Sequence, residues 1–318
     1  MNETDQLPTE QAGSQSEFLG DLLTGLAGSK KSVPGKYMWD ETGSGLFDRI
    51  CDSKDYYPTR HETALLRREA KTIAQLVGPN VSLVEYGSGA SHKVRILLNA
   101  LAMPRQYVAI DISREFLEAA CSRIARGYPG LIVTPVCADY TKPISLPSIP
   151  EPRSVLGFFP GTTVGNVDAA GVIAFLSRVR DTLGPSWFLI GVDPNTDEAT
   201  LSCAYADRKG LMAALHGNLL VRVVRELGGD LEPGNFRHEA RVLRSPLRVE
   251  AHLVAQRAAE YRIGGQVVAF AEGESIHTDT SYKYDPQHFR DLSAQAGWNP
   301  VRCWVDERNL FSLHLLRA

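Results

Sequence analysis

Between residues 81 and 192 the chain alternates short apolar runs with stretches of helical periodicity, and that alternation leaves few folds open. Val81-Ser-Leu-Val-Glu-Tyr86 closes on Gly87-Ser-Gly89, and Lys93 to Leu101 then carries Val94, Ile96, Leu97 and Leu101 at helical spacing. Gln106 to Asp111 reads as a second strand, followed by a helix opened by Ser113 with Phe116, Leu117, Ala120 and Ile124 on one face. Leu131 to Cys137 and Ser154 to Phe159 give a third and fourth strand. Asp168 is placed to cap a helix that turns Val172, Phe175, Leu176, Val179 and Leu183 inward and stops at Gly184, and Trp187 to Val192 is the fifth strand. Strands separated by helices imply right-handed crossovers, a parallel sheet covered on both faces, and a ligand at the strands' C-terminal ends.

The C-terminal part departs from this rhythm. A helix around His288 to Ala296 is followed by two strands, Val301 to Val305 and Leu310 to Leu316, with the turn-rich Asp306-Glu-Arg-Asn309 between them. About 90 residues separate the fifth strand from that helix, too many for a loop, so they must fold. Residues 208–227 predict an amphipathic helix (Leu211, Ala214, Leu215, Leu219, Val223, Leu227) stopped by Gly228-Gly229, and 248–256 with 261–270 predict paired strands. The expected organisation is a loose tail over 1–17, a ligand-binding sheet domain over 62–195 and 286–318, and a substrate-binding α+β lid over 18–61 and 196–285.

Composition narrows the partners. With 34 Lys+Arg against 37 Asp+Glu, the net charge of −3 denies the chain the basic field of a nucleic-acid or anionic-membrane binder. The first residues are acidic and polar, unlike a secretory signal, and no stretch reaches the ~18 apolar residues of a membrane span. Five dispersed cysteines form no C-x-x-C and suit a reducing cytosol; a cytoplasmic monomer is expected. His61, His92, His216, His238, His252, His277, His288 and His314 show no metal-ligand spacing, so no metal is expected.

The ligand motifs fall where the sheet requires them. Glu85-Tyr86-Gly87-Ser88-Gly89 lacks the third glycine of a dinucleotide fingerprint, and no Walker motif follows it. Asp111 lies 24 positions beyond Gly87 (111 − 87) at the end of the second strand, where a carboxylate can accept from both ribose hydroxyls. Asp139-Tyr140 offers an acceptor for an adenine amino group and an aromatic edge for its ring. Glycine turn and acids in this order favour an adenosyl ligand. S-adenosylmethionine (SAM) is preferred over NAD because the turn is short, no catalytic His–Asp pair stands out, and the sheet ends in a hairpin. After the fourth strand comes Phe158-Phe-Pro-Gly-Thr-Thr-Val-Gly-Asn166, where Gly161 lets backbone approach a ligand and Asn166 offers both a donor and an acceptor; Asn166 could instead cap the next helix.

Four segments make the pattern specific: Tyr37-Met-Trp-Asp-Glu-Thr-Gly-Ser44 with Leu46-Phe47, Tyr56-Tyr-Pro-Thr-Arg60, the Phe-Phe-Pro-Gly run with Gly165-Asn166, and Asp279-Thr-Ser-Tyr-Lys-Tyr284. From about residue 30 onward the sequence resembles the histidine α-N-methyltransferases of ergothioneine biosynthesis. The resemblance implies a class I methyltransferase, Rossmann-like α/β fold with a terminal antiparallel hairpin. It implies that Tyr56 and Asn166, with Tyr205, hold the amino acid's carboxylate and amine, and that Tyr86, Gly87, Lys93, Asp111, Asp139 and Tyr140 contact the cofactor. In the family a Glu and a Ser two positions apart grip the imidazole of histidine; here they are Asp279 and Ser281. A carboxylate one methylene shorter retracts by roughly 1.5 Å. Ala251 stands where relatives carry a larger apolar side chain, Leu215 where some carry an aromatic, and Trp39 where a Tyr is usual. Ala251, Leu215 and Asp279 would enlarge the side-chain pocket, which suits an indole or phenol, while a water beside Asp279 could restore the reach to imidazole.

The implied reaction passes methyl groups from SAM, leaving S-adenosylhomocysteine (SAH), to the α-amine of a free amino acid. L-Histidine giving N,N,N-trimethylhistidine (hercynine) comes first; tryptophan, tyrosine or another aromatic amino acid is the alternative acceptor, and a non-catalytic SAM-binding protein the rival class. The faces of Trp39, Phe47 and Tyr56 would stabilise the growing methylammonium by ~0.5–2 kcal/mol.

Overall fold

The computed structural model describes residues 7–89, 92–151, 154–206 and 208–318, with side chains from Gln15 onward. Its helices are α1 (Leu7–Ala27), α2 (Glu41–Cys51), α3 (Tyr57–Val77), α4 (Val94–Ala100), α5 (Arg114–Gly127), α6 (Ala169–Leu183), α7 (Glu198–Tyr205), α8 (Leu211–Leu227) and α9 (Pro286–Gln295). Its strands are β1 (Ser82–Tyr86), β2 (Gln106–Asp111), β3 (Ile132–Cys137), β4 (Val155–Phe159), β5 (Trp187–Val192), β6 (Phe236–Arg244), β7 (Leu247–Ala255), β8 (Ala259–Ile263), β9 (Gln266–Phe270), β10 (Ser275–Tyr282), β11 (Asn299–Val305) and β12 (Ser312–Arg317). The chain divides into two units: residues 51–201, 244–248 and 281–318 in one, residues 1–50, 202–243 and 249–280 in the other.

The first unit is built on a seven-stranded sheet of order β11-β12-β5-β4-β1-β2-β3. β1 to β5 run parallel, and β12 joins antiparallel to β5 and to β11. A parallel core completed by an antiparallel terminal hairpin is the class I methyltransferase fold. β4, fully buried, reads as an apolar run because helices cover both faces of the sheet; β1, equally buried, is apolar but for Ser82 and Glu85. Leu65, Leu66 and Ile73 of α3 pack with Leu97, Leu117 and Ile124 on one face. Val172, Phe175, Leu176 and Val179 of α6 pack with Phe289 and Leu292 of α9 on the other. Asp168 caps α6 by accepting from Gly171 N, as its position predicts. β3 is an edge strand, which is why Pro135 is tolerated within it.

The second unit holds α1, α2, α8, a three-stranded sheet of order β10-β7-β6, and the β8–β9 hairpin. The helix expected over 208–227 is α8, beginning after Gly210 and ending on Gly228 in the left-handed region (φ 65°). The pairing expected between 248–256 and 261–270 does not occur. Gly264 and Gly265, at φ 55° and 81°, turn 259–270 back on itself as a hairpin, while β7 pairs with β6 and β10. Residues 1–6 of the expected loose tail lie outside the described residues; from Leu7 on, that segment is helix α1, with Phe18, Leu22 and Leu26 buried at i, i+4 and i+8. The dividing lines also differ from those read off the sequence: 51–61, 196–201, 244–248 and 281–285 group with the large sheet. Among the described residues no helix is long and apolar enough to cross a membrane.

Each unit buries a histidine. His216 on α8 lies 2.8 Å (Nδ1) from Thr278 Oγ1 and stacks on His238, and His314 on β12 lies 3.1 Å (Nε2) from Ser312 Oγ against the Phe289 ring. Burial, with His238 and His277 beside the first and Arg290 beside the second, pushes both down to about 3. Unfolded histidines titrate near 6.5, so the unfolded chain takes up protons the folded one refuses. Stability present above about pH 6.5 is therefore lost on acidification, by up to about 1.4 kcal/mol per pH unit for each histidine. Urea midpoints at about pH 7.5 and about pH 5.5 should show this loss, and His314→Gln should flatten it for the transition of the large sheet.

Candidate active site

In the large sheet the chain starts at β1, works outward to β3 and returns to β4, so the loops after β1 and β4 leave neighbouring strands at the edge where α/β sheets bind ligands. After β1, Gly87 and Gly89 take φ of 71° and 47°, and the amides of Gly87 and Ser88 both donate to Ile110 O. Asp111 ties this turn to β2: one carboxylate oxygen accepts from Gly89 N at 3.0 Å, the other from Ser113 N at 3.1 Å. Tyr140 Cε1 stands 3.6 Å from where a Gly87 side chain would begin, so its ring edge lies against the turn. Asp139 accepts from Thr141 N and Oγ1 at 2.9 and 2.6 Å, which fixes the bend that presents Tyr140.

Tyr86 differs from the expectation. Its side chain is 2% exposed and packs edge-on against Phe175 and Phe188, so only its backbone faces the turn. The Ser88 hydroxyl is buried in the turn with no hydrogen-bond partner. An unpartnered donor, a carboxylate with lone pairs to spare, a ring edge and a lysine make a cradle whose chemistry fits an adenosyl amino acid.

Lys93, at the start of α4, is ion-paired to Glu62 of α3. Glu62 is fully buried, and its other oxygen accepts from Gly161 N at 2.8 Å. Gly161 itself has φ 79° and would bring a side chain within 3.7 Å of Lys93 Nζ. Glu85, also fully buried, accepts from the Tyr107 hydroxyl, and burial raises it to about 8.

Beyond Gly161 a short turn spans Thr163–Asn166. Asn166 is exposed, and the helix cap it might have supplied is Asp168. A side chain at Gly165 would collide with Tyr282 O at 2.6 Å and lie 3.5 Å from Ser281 Oγ, so the end of β10 runs directly over this turn. Ser281 accepts from Lys283 Nζ at 2.9 Å, and the same ammonium pairs with Asp193 Oδ2 at 2.7 Å. Asp193 also accepts from the Tyr57 hydroxyl at 2.5 Å. Tyr57 follows Tyr56, which is buried and opens α3. One chain of hydrogen bonds thus links the start of α3, the end of β5 and Ser281.

The remaining predicted residues lie in the other unit. Trp39 and Phe47 meet edge to face with ring centres 5.3 Å apart. Asp279 Oδ1 lies 3.5 Å from where a Gly35 side chain would begin. Tyr205 ends α7, and Leu215 and Ala251 are buried. Among the described residues no cluster of three or more His, Cys, Asp or Glu side chains could hold a metal. The sequence reading did not single out Glu62, Asp193 or Tyr57, and gave Lys283 no role. Glu62 had a signal: an acid on the face of α3 that otherwise carries Leu65, Leu66 and Ile73.

Comparison with known proteins identifies the family. The model of a family described as histidine-specific, SAM-dependent methyltransferases matches residues 18–318. A histidine N-alpha-methyltransferase of Mycolicibacterium smegmatis is 36% identical over 311 residues, 96% of this chain and 96% of that protein. The ergothioneine biosynthesis protein 1 of Neurospora crassa is 27% identical over 310 residues, 90% of this chain and 33% of that longer protein. A 4-dimethylallyltryptophan N-methyltransferase of Arthroderma benhamiae is 25% identical over 318 residues, 89% and 88% of the two chains. With a family match over nearly its whole length, this chain belongs to the histidine-specific, SAM-dependent methyltransferases.

Proposed function

We propose that the protein methylates the α-amine of free L-histidine with SAM, giving N,N,N-trimethylhistidine (hercynine). One observation carries the reading: the end of β10 brings Ser281 over the Gly165–Asn166 turn, in a chain that matches the histidine-specific family over residues 18–318. When bound, SAM supplies a methyl group on a sulfonium whose departure leaves neutral SAH. Lys93 would hold its carboxylate, Asp111 its ribose, and Asp139 and Tyr140 its adenine, with Gly87 giving backbone access.

The acceptor side needs more from the protein. Tyr56, Asn166 and Tyr205 are assigned to the zwitterion's carboxylate and amine, Gly161 to close backbone approach, and Asp279 and Ser281 to the ring. The α-amine attacks only when neutral, so a proton must leave before each transfer; Tyr56 and Asn166 pass it to water in this reading. Lys283 keeps Ser281 Oγ accepting on one side and places a fixed positive charge behind it, which disfavours a protonated imidazole at that hydroxyl. Trp39 and Phe47 are assigned to the growing methylammonium.

Asp279 favours a second reading. Where the family carries a Glu, the shorter acid leaves room that a larger ring would fill, and tryptophan or tyrosine is then the acceptor. Titration of the protein with histidine, tryptophan and tyrosine in the presence of SAH separates the two, and mass spectrometry of the product should find the trimethylated species. Exclusive monomethylation would refute the betaine product.

Asn166→Ala should weaken histidine binding by about 1–3 kcal/mol, because the acceptor's polar groups lose a partner, and leave SAH affinity nearly unchanged. Equal loss of both would remove Asn166 from the acceptor side. Asp279→Glu should shift the ratio of kcat/KM values toward histidine and away from tryptophan; an unchanged ratio would show that the carboxylate's reach does not set acceptor choice.

A further inference from the structure

Glu62 is the only acidic side chain among the described residues of α3 that is completely buried, and both of its oxygens are committed to opposite sides of the candidate site. One pairs with the Lys93 ammonium, the other accepts from the Gly161 amide. An acid at a core position costs several kcal/mol of desolvation, and this one stands where an apolar residue would complete the face of α3. We propose that Glu62 is a positioning residue that keeps the Lys93 ammonium charged and fixed for the cofactor's carboxylate, while tying the acceptor-side turn at Gly161 to the same point. The inference rests on the reading of Lys93 as a cofactor contact.

The electrostatics around Lys93 support it. The Lys93 side chain is 19% exposed, and burial alone would drive it toward the neutral amine. Against that burial, the Glu62 carboxylate of α3 leads the groups that hold Lys93 above the ordinary lysine value. Glu85 contributes little charge near neutrality: burial raises it to about 8 despite its bond from Tyr107 and the attraction of Lys93, with Asp111 and Glu62 adding repulsion. Glu62 is therefore the counter-charge that keeps the ammonium protonated. Without it, burial acts on the ammonium unopposed by its ion-pair partner, and the charge that would attract a carboxylate is weakened.

A double-variant cycle with SAH tests this by calorimetry at about pH 7. Glu62→Gln keeps the volume and an oxygen for Gly161 N but removes the charge. Glu62→Gln and Lys93→Met should each weaken SAH by about tenfold or more, and the double variant should bind no more weakly than Lys93→Met alone. SAH affinity should fall with rising pH at a lower pH in Glu62→Gln than in the wild type, because Lys93 loses the acid that holds its proton. A structural role for Glu62 would produce neither the non-additivity nor the displaced pH dependence. If Glu62→Gln weakens SAH as much in the Lys93→Met background as in the wild type, the inference is overturned while Lys93 remains a cofactor contact. If Lys93→Met leaves SAH affinity unchanged, the underlying reading of Lys93 fails, and the inference with it. Should Glu62→Gln alone not fold, the double variant decides: it carries no uncompensated charge, so it should fold and bind SAH as Lys93→Met does, and failure of either overturns the proposal.

Discussion

Charge taken out of water at the C-terminal ends of a parallel sheet is the constraint around which this fold is arranged. Glu62, Asp193 and Lys283 are essentially inaccessible to solvent, and Lys93 nearly so. An unpaired ion in such a place costs several kcal/mol after relaxation, so each must meet its partner wherever the chain has to travel to supply it. Glu62 meets Lys93 across 31 positions and the Gly161 amide across 99, and Asp193 meets Lys283 across 90. The pairs bring the start of α4 and the turn after β4 to α3, and the ends of β5 and β10 to each other. Such pairs contribute little net stability over well-packed apolar groups; what they give is one defined arrangement.

The sheet and its helices are legible because a strand buried on both faces admits few polar residues, and those, such as Glu85 in β1 and His314 in β12, stand singly among apolar ones. Val84, Val108, Leu156 and Leu189 stand in short apolar blocks bounded by glycines or acids, and the helices between them repeat their core residues at three and four. The glycine turn, Asp111 and Tyr140 could be placed in advance because an α/β sheet presents its ligand edge at a position fixed by topology.

What escaped the reading had polar faces. β6 reads Phe-Arg-His-Glu-Ala-Arg-Val-Leu-Arg and β10 reads Ser-Ile-His-Thr-Asp-Thr-Ser-Tyr, both half-buried strands whose alternation is masked by residues that hydrogen-bond one another, such as Thr278 with His216. Without them, periodicity pairs 248–256 with 261–270 instead of with β6 and β10. Helix α1 was hidden by its polar beginning, although Phe18, Leu22 and Leu26 carry the spacing. Lys283 lay inside a segment used to identify the family, yet its role needed Asp193 and Ser281 beside it, and periodicity has no means of pairing residues across 90 positions.

The pair at Asp193 and Lys283 also closes a long excursion of the chain. Most of the chain between these two residues, 202–243 and 249–280, belongs to the second unit. Joining the ends of a flexible segment of that length costs about 4 kcal/mol in chain entropy, a figure that grows only with the logarithm of the length. Lengthening or reshaping the excursion is therefore cheap for the sheet as long as its two moorings meet. A lineage can remodel the intervening stretch for a different acceptor while the methyl-donor scaffold stays as it is.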